Sequence, residues 1–368
     1  MGSVNTGFCN QLWRFTGFFF LAAENNCSYV LIENLFWKDT HGTNQFVPHD
    51  FFFNVERWNT FHQDLPAFVS FDPELDIDIY TLPSTNITIL TAKNASYTYG
   101  YRPNVKYKKV NWKNATKPIP IAHVNPNQSI NRFRQTMRSI SNGQHPIPNE
   151  NIYRSILSGA LEPHQYIMEI ITDILKILRN GEGFMTIHMR VEPDMLRQQH
   201  ICNEKRVTSI RNITELIYNK YPEPPVDHIL LPVAFDVMEK MEQNIVNKSN
   251  EFLTDIELLN RQNLADLKNL LTDGMYDGKV KVLLAGSKLI VDKANPYYRK
   301  YNVFTGSVLN YFISIESKIF VGTETSSWSS SISNARLFRG NLENYFFNPN
   351  GLNHVTPFND TKPHRFIC

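Results

Sequence analysis

The half of the chain that follows residue 150 alternates short β-rich runs with longer segments of helical periodicity. The clearest helix begins near Pro163, carries apolar residues at three- and four-residue spacing, and can end at Gly181. The short apolar run at 184–188 then predicts a buried strand. Because strands separated by helices pair in parallel, the alternation predicts a doubly wound α/β domain.

The same alternation continues to about residue 340. Strands are predicted at 184–188, 228–233, 279–284 and 319–321, and helices at 212–220, 236–246, around the leucines of 264–271, at 303–314 and at 328–337. In a doubly wound sheet, ligands bind where the carboxyl ends of the strands meet helix N-termini. Polar residues directly after these strands are therefore the first candidates for functional groups.

The first 35 residues predict a second α/β region. A helix is indicated by the spacing of Leu12, Phe15, Phe19 and Ala23, and a strand follows at 29–32. Only four residues before the loop that opens this helix can form its preceding strand, whereas a buried strand usually has about five or six. We therefore expect upstream residues, including any targeting segment, to be missing from this sequence.

Between these regions, residues 36–150 contain no long periodic segment, and 142–148 has the composition of a linker. We therefore predict an N-terminal α/β domain at 1–150 and a C-terminal α/β domain at 151–340. The remaining tail, about 340–368, is expected to pack back on the N-terminal domain.

The composition is that of a globular protein, with 42% hydrophobic and 20% charged residues and a formal net charge of +2. Nucleic acid is not predicted as a partner, because the sequence has no clustered basic face. No apolar run approaches the roughly 18 residues of a membrane-spanning helix, so no span is predicted in this chain.

The cysteines and glycosylation sequons bear on the compartment. The four cysteines show no CxxC spacing, which argues against zinc and redox motifs; their pairing, including that of Cys368, stays open. The N-x-S/T sequons are at Asn26, Asn86, Asn94, Asn114, Asn127, Asn212, Asn247 and Asn359. These sequons permit a location in the secretory pathway, in the lumen of the endoplasmic reticulum or Golgi.

The first candidate motif, at residues 6–11, opens the first helix. Gly7 allows a tight turn or a close approach of the backbone to a ligand. Asn10 lies at the start of the helix, where it can bind a ligand hydroxyl or serve as an ordinary N-cap. The N-cap is the more common role for an isolated asparagine at this position.

The second motif, at residues 188–194, follows the strand at 184–188. His188, Arg190 and Asp194 are ionisable groups at the end of a buried strand, where they need partners. The guanidinium of Arg190 has the donor geometry that suits a diphosphate. The alternative is an internal salt bridge between Arg190 and Asp194 that closes the loop.

The third motif, at residues 322–329, lies between a strand and a helix. It supplies hydroxyl groups and backbone N–H groups at a helix N-terminus, which is an anion-binding arrangement, although a Ser/Thr N-cap is an equally ordinary interpretation. Asp236 lies at a further strand end, where it can cap the next helix or accept hydrogen bonds from a base or ribose.

Metal chemistry is not predicted. Asp76 and Asp78 match a D-x-D pattern, but they belong to an Asp/Ile alternation that a half-exposed strand explains better. No GxGxxG, P-loop, GxSxG or HExxH pattern occurs. A diphosphate leaving group would then be neutralised by Arg190 and by helix N-terminal donors.

Together the motifs resemble the GDP-fucose-dependent fucosyltransferase superfamily, and most closely the protein O-fucosyltransferases. The opening Gly-x-x-Asn-Gln pattern matches residues 7–11, and the strand-end His-x-Arg-x-x-x-Asp pattern matches His188, Arg190 and Asp194. Residues 234–236 resemble the family's strand end of the Ala-Thr-Asp type, with Phe235 as a departure. The late strand and its Gly…Ser-Ser-aromatic loop resemble residues 320–328.

The resemblance implies an α/β fold of the GT-B type, in which two Rossmann-like domains face each other across a cleft. It implies GDP-fucose as donor, inversion at the sugar carbon, no cofactor, and a protein or glycan acceptor. The N-terminal domain would form the acceptor side and the C-terminal domain would bind the nucleotide sugar.

The resemblance also implies roles for individual residues. Arg190 would bind the β-phosphate and assist the departure of GDP, with Asn10 and Asp194 facing the fucose and the acceptor. The substrate-binding residues would be Gly7, His188, Asp236, Ser326, Ser327 and Trp328. The general base is not indicated, since Glu192 is followed by Pro193 and is better explained as part of a turn.

Two alternatives stay open. Lys318 stands where some relatives have an acidic residue near the guanine, which would suit a GT-B enzyme using another nucleotide sugar. The missing base and the aromatic residues Trp13, Trp37 and Trp58 would suit a non-catalytic relative that binds a glycan or a protein.

Overall fold

The computed structural model describes most of the chain after residue 161 and short segments of the first 71 residues. The described residues are 162–193, 195–196, 207–248, 252–284, 296–323 and 326–355, with 8–9, 12, 16–17, 19, 29–33, 35–38, 44–47, 52–54, 56–58 and 67–71. The chain divides into two compact units, Met1–Gln165 and Tyr166–Cys368.

The first unit contains a parallel strand pair and an antiparallel hairpin. Strand β1 (Tyr29–Glu33) pairs in parallel with β4 (Ala67–Phe71), and β2 (Leu35–Lys38) pairs with β3 (Asn44–Val47). The prediction of β1 is confirmed. The other three strands lie in or border the region that the sequence suggests to be irregular, because they are only four or five residues long.

Aromatic side chains form the described core of the first unit. The rings of Phe19 and Trp58 have centroids 4.5 Å apart, and those of Phe8 and Phe53 are 6.2 Å apart. Phe8, Leu12 and Phe19 are helical and buried, as the spacing of the first helix predicts. The strand predicted before this helix, the linker at 142–148 and the D-x-D pattern at 76–78 lie outside the described residues.

The second unit is a six-stranded sheet in the order β10-β9-β8-β5-β6-β7. Its strands are β5 (Phe184–Ile187), β6 (His228–Leu231), β7 (Lys281–Leu284), β8 (Ile319–Gly322), β9 (Asn344–Asn348) and β10 (Gly351–His354). Every pair is parallel except β9 with β10. The described helices are α1 (Gln165–Leu178), α2 (Ile210–Lys220), α3 (Phe235–Ile245), α4 (Asp255–Asp273), α5 (Pro296–Ile315) and α6 (Ser327–Phe338).

The helices form as their apolar spacing predicts. Helix α1 buries Ile167, Ile171, Ile174 and Leu178, which recur every three or four residues and so share one face. Beyond its end, Gly181 has a φ of +85°, a conformation that glycine adopts without the Cβ strain of other residues. None of the helices in the described part of the chain is long and apolar enough to cross a membrane.

The central strands β5 and β8 are buried along their whole length. Strands covered on both faces read as continuous apolar runs, which explains why the sequence predicts them. Each strand and helix predicted between 163 and 340 is present, with bounds that differ by a few residues; α5 differs most, because it begins at Pro296 and not at 303.

The tail after residue 340 needs a correction. It was expected to pack on the N-terminal domain, but β9 pairs in parallel with β8 and β10 pairs with β9, so residues 344–354 extend the sheet of the second unit. The strand β9 is buried at four of its five positions because it continues the central sheet. Residues 356–368 lie outside the description.

Candidate functional site

The strand order creates a topological switch point between β5 and β8. From β5 the chain proceeds to β6 and β7 on one side, and β8 and β9 then lie on the other side. At such a point the loops leave the carboxyl ends of two adjacent strands in opposite directions and open a crevice. The loops after β5, β6 and β8 carry three of the motifs singled out in the sequence, and they meet at this edge because their strands are neighbours.

Arg190 lies three residues beyond the end of β5 and has an unusual backbone conformation. Its φ is +54°, in the left-handed region that residues other than glycine seldom adopt. Such a conformation costs about 1 to 2 kcal/mol and persists only where surrounding contacts fix it. The side chain is 30% exposed, so the guanidinium remains accessible to solvent.

Glu192 is the described acidic partner of Arg190. The Nη1 group of Arg190 donates to Oε2 of Glu192 at 3.0 Å, and the carboxylate is almost fully buried. The other carboxylate oxygen, Oε1, accepts a hydrogen bond from the backbone N–H of Ala234 at 3.2 Å. Glu192 therefore joins the loop after β5 to the N-terminus of α3, which follows β6.

His188 is buried at the end of β5 and connects this strand to the loop after β8. Its backbone N–H donates to the carbonyl of Val321 at 2.8 Å, and its Nδ1 is 2.7 Å from Oγ of Ser329. Burial, and secondarily the positive charge of Arg190, hold the pKa of His188 well below its usual range. The imidazole is therefore neutral at physiological pH.

Ser329 ties the first turn of α6 to the end of β8. Its Oγ accepts a hydrogen bond from the backbone N–H of Thr323 at 3.1 Å while it contacts His188. Gly322 leaves the room for this arrangement, since a Cβ at that position would lie 2.7 Å from Oγ of Ser329. The loops after β5 and β8 are thus fixed against each other by a small hydrogen-bond network.

Trp328 covers the His188 side of the network. Its ring centroid is 4.4 Å from that of His188 and 6.4 Å from that of Phe320, both at tilted angles. Aromatic contacts of this kind fix ring orientation in addition to burying apolar surface. The Trp328 side chain itself remains partly exposed.

The N-terminus of α6 is available as an anion-binding element. Ser326 occupies the N-cap position, but its side chain makes no cap hydrogen bond to the described first turn. The predicted Ser N-cap interaction is therefore not seen there. Backbone N–H groups at a helix start carry partial positive charge and attract phosphate groups. Ser326 is buried and Ser327 is half-buried at this position.

Asp236 lies in the first turn of α3, exposed to solvent, at the carboxyl end of β6. The N-cap residue of α3 is Ala234, so Asp236 is not the cap that the sequence suggested as one alternative. Its carboxylate is two residues from the Ala234 N–H that Glu192 binds. Asp236 therefore belongs to the same edge as Arg190.

Three residues of the predicted site lie outside the described residues: Gly7, Asn10 and Asp194. The structure brings together the others, which are His188, Arg190, Asp236, Ser326, Ser327 and Trp328. The roles given to all of them stay predictions.

Sequence reasoning underrated Glu192 and did not single out Ser329. The proline after Glu192 suggested a turn, yet its carboxylate is nearly buried and pairs with Arg190. A charged residue between apolar neighbours, Val191 and Pro193, was the available signal. Ser329 was hidden in a serine-rich run in which sequence alone does not distinguish one hydroxyl from the next.

Lys318 lies at the opposite edge of the sheet. It precedes β8, and its Nζ contacts Glu182 at 3.3 Å and the carbonyl of Pro225 at 3.1 Å. The strand that separates it from Gly322 has four residues, or about 13 Å at 3.3 Å per residue. The observation that favoured a different nucleotide base is therefore remote from the candidate site.

Within the described part of the chain, no group of three or more His, Cys, Asp or Glu side chains could hold a metal ion. The positive charge at this edge comes from Arg190 and from the start of α6. These groups can stabilise a diphosphate, which carries its charge on oxygen atoms.

The fold is that of the GT-B glycosyltransferases. The chain superposes on the crystal structure of POFUT1 in complex with GDP with a TM-score of 0.50 and 13% sequence identity, over 93% of this chain and 95% of that one. A second structure, POFUT1 in complex with GDP-fucose, has a TM-score of 0.47 and 13% identity, over 94% and 95% of the two chains. The predicted α/β class of GT-B type is thereby confirmed.

The family model described as GDP-fucose protein O-fucosyltransferase matches residues 5–339, and the chain belongs to that family. The predicted resemblance is confirmed, and the protein is a fucosyltransferase. The match spans the strand-end loops that carry His188, Arg190 and Ser326–Trp328. No curated protein sequence matches this chain.

Proposed function

We propose that the protein transfers fucose from GDP-fucose to a hydroxyl group of a protein serine or threonine, or of a glycan, with inversion at the anomeric carbon and without a metal ion. Family membership supports the reaction class and the donor. The observation that carries the proposal is the position of Arg190, beside the switch point and next to the N-terminus of α6, where a diphosphate would find positive charge.

The second unit supplies the donor-binding groups in this proposal. The Arg190 guanidinium binds the β-phosphate, and the N-terminal N–H groups of α6 with Ser326 and Ser327 bind the remaining diphosphate oxygens. Trp328 and His188 form the adjoining wall. Asp236, exposed at the start of α3, lies on the side expected for the nucleoside.

In the reaction, the bond between the anomeric carbon and the β-phosphate oxygen breaks while a bond to the acceptor oxygen forms on the opposite face. The electron pair of the broken bond remains on GDP, whose added negative charge Arg190 stabilises. The acceptor proton passes to a side chain or to water. Because Arg190 acts on the leaving group, much of the rate depends on it.

Glu192 does not suit the role of general base. One oxygen is held by Arg190 and the other by the Ala234 N–H, so the lone pairs that would receive a proton are engaged. Asn10 and Asp194 are proposed to contact the fucose and the acceptor, and Gly7 to allow close approach of the backbone. Residues 1–150 are proposed to provide the acceptor side.

We also propose that the enzyme resides in the secretory pathway. Several sequons would then be accessible to glycosylation; Asn247, for example, is exposed in the turn after α3. Resistance of the cell-expressed protein to glycosidase-induced mobility shifts would contradict this location.

A nucleotide panel tests the donor directly. Thermal unfolding of the purified protein is measured with GDP, UDP, ADP and CMP, and GDP alone is expected to raise the melting temperature by stabilising the native state. Stabilisation by UDP and not by GDP would replace the proposal with a glycosyltransferase of another donor. Turnover of GDP-fucose would exclude a purely glycan-binding relative.

A further inference from the structure

Glu192 is an unusual residue for a loop at the edge of a sheet. Only 5% of its side chain is exposed, although the loop after β5 reaches the solvent at Arg190. A buried carboxylate is costly unless hydrogen bonds or an opposite charge compensate for the lost hydration. Each of its oxygens has such a partner, Arg190 Nη1 for one and the Ala234 N–H for the other.

This arrangement defines where the guanidinium lies. Arginine has a long side chain with many rotamers, and Arg190 also has a left-handed backbone that local preference disfavours. The buried carboxylate is rigid because its second oxygen is bound to backbone at the start of α3. A rigid acceptor of this kind restricts the guanidinium to orientations near the carboxyl edge of the sheet.

We propose that Glu192 is a positioning residue of the donor site, which holds Arg190 in the orientation needed to stabilise departing GDP and fixes that orientation relative to α3. This inference rests on the proposed function of Arg190. Glu192 acts through Arg190 and through Ala234, and it does not itself contact the reacting atoms.

The charge of Glu192 gives the proposal a distinctive signature. A carboxylate within 3.0 Å of Arg190 weakens the attraction of that arginine for a bound diphosphate in the ground state. Its benefit must therefore lie in geometry, which matters most in the transition state. Removing the charge should lower kcat without raising the KM for GDP-fucose.

The test uses Glu192→Gln and the hydrolysis of GDP-fucose in the absence of acceptor, measured as GDP release. We expect kcat to fall by about tenfold or more, because the charge-assisted contact is lost, while KM is unchanged or lower. The rate should be lowered by the same factor from about pH 5.5 to pH 8. A proton-accepting role would instead abolish the fall in rate at the acidic end of the profile.

A double-mutant cycle shows whether the effect passes through Arg190. In an Arg190→Ala background, Glu192→Gln should cause no further loss of kcat, because the residue that it positions is absent. Independent, multiplicative losses in the two variants would overturn the proposal. So would an unchanged kcat in Glu192→Gln, or a loss seen only as a higher KM.

Glu242→Gln is the matched control. Glu242 also pairs with an arginine of the same unit, since its Oε1 accepts from Nε of Arg261 at 2.9 Å, but it belongs to the contact of α3 with α4. We expect its kcat to equal that of the wild type. Should Glu192→Gln fail to fold, Glu192→Asp retains the charge but is one methylene too short to reach both partners, and a wild-type kcat in that variant would overturn the proposal.

Failure of this inference and failure of the proposed function give different results. If the wild-type protein neither binds GDP nor turns over GDP-fucose, the proposed function is wrong before any variant is compared. If the wild type and Arg190→Ala differ as expected while Glu192→Gln behaves as the wild type, only the positioning role is wrong.

Discussion

Two arginines at opposite edges of the second unit's sheet are used in contrasting ways. Arg336 is fully buried in α6 near the amino ends of β8 and β9. Its guanidinium donates to the carbonyls of Ile315, Ser317, Lys318 and Glu343, to Oγ of Ser317 and to Oδ1 of Asn344. Burial lowers the pKa of Arg336 to about 10, against the opposing effect of the carboxylates of Glu316 and Glu343.

Arg190, at the carboxyl edge, has a strained backbone, a side chain that is 30% exposed and a buried carboxylate partner. The two residues have the same chemical group but different surroundings. A guanidinium directed into protein carbonyls joins elements of the fold, whereas one held at a solvent-facing switch point can bind the charge of a ligand. The predictions below test whether stability and activity separate along this line.

The largest effect is expected for Arg336→Met. Loss of the guanidinium leaves several buried carbonyls without donors, and the free energy of unfolding should fall by about 4 kcal/mol. Urea unfolding measures this change, with Arg179→Met as the control because Arg179 forms a half-exposed pair with Glu316. A loss for Arg336→Met no greater than that of the control would remove the contrast on its structural side.

For Arg190→Ala the order is reversed. Turnover of GDP-fucose should fall by about a thousandfold, because the charge that develops on departing GDP loses its counterion. The free energy of unfolding should change by less than about 1 kcal/mol, as is usual for partly exposed positions. Steady-state assays of GDP release and urea unfolding check both halves, and wild-type turnover would end the idea.

Gly322→Ala should affect both properties to a moderate degree. The new Cβ would lie 2.8 Å from Cβ of Ser329 and 3.0 Å from Cε1 of Phe320, so the start of α6 must shift. We expect a destabilisation of about 2 kcal/mol and weaker binding of GDP in isothermal titration. Gly340→Ala is the control, since that Cβ meets no atom within 4 Å and only its φ of +82° is unfavourable. Equal GDP affinity in the two variants would contradict this account.

The buried imidazole of His188 predicts a pH dependence of stability. Because its pKa is lowered in the folded state, the unfolded chain binds the proton more readily below about pH 6.5, and stability is lost as pH falls through that value. The loss should approach about 1.4 kcal/mol per pH unit relative to His188→Asn, which does not titrate. Urea unfolding at pH 5 to 7.5 gives the comparison, and parallel curves for the two proteins would disprove it.

The smallest effect is expected for Lys318→Ala. Its contacts with Glu182 and Pro225 are exposed and lie at the amino edge, so stability should change by less than about 1 kcal/mol. GDP affinity should stay within about twofold of the wild type, since the residue is a strand length from Arg190. A large change in GDP affinity would mean that the nucleotide lies at the edge of Arg336.

Much of the second unit could be predicted because its elements are locally encoded. The apolar face of α1 and the buried runs of β5 and β8 are continuous in sequence. Strands β9 and β10 were missed because Asn344–Asn348 and Gly351–His354 are short and contain asparagines, which strand propensity disfavours. Their pairing with β8 is a tertiary effect.

The candidate site was predicted in part for the same reason. Arg190, Ser326 and Asp236 follow predicted strands, and the strand order brings their loops to one edge. The partner of Arg190 was not predictable in the same way. The sequence offers carboxylates at both Glu192 and Asp194, and only the left-handed turn at Arg190 directs its side chain to Glu192.

The most direct measurement is a crystal structure of the protein with GDP. We predict the β-phosphate within about 3 Å of the Arg190 guanidinium and beside the first turn of α6. A diphosphate bound elsewhere, with Arg190 left paired only to protein groups, would contradict the assignment of this edge as the donor site.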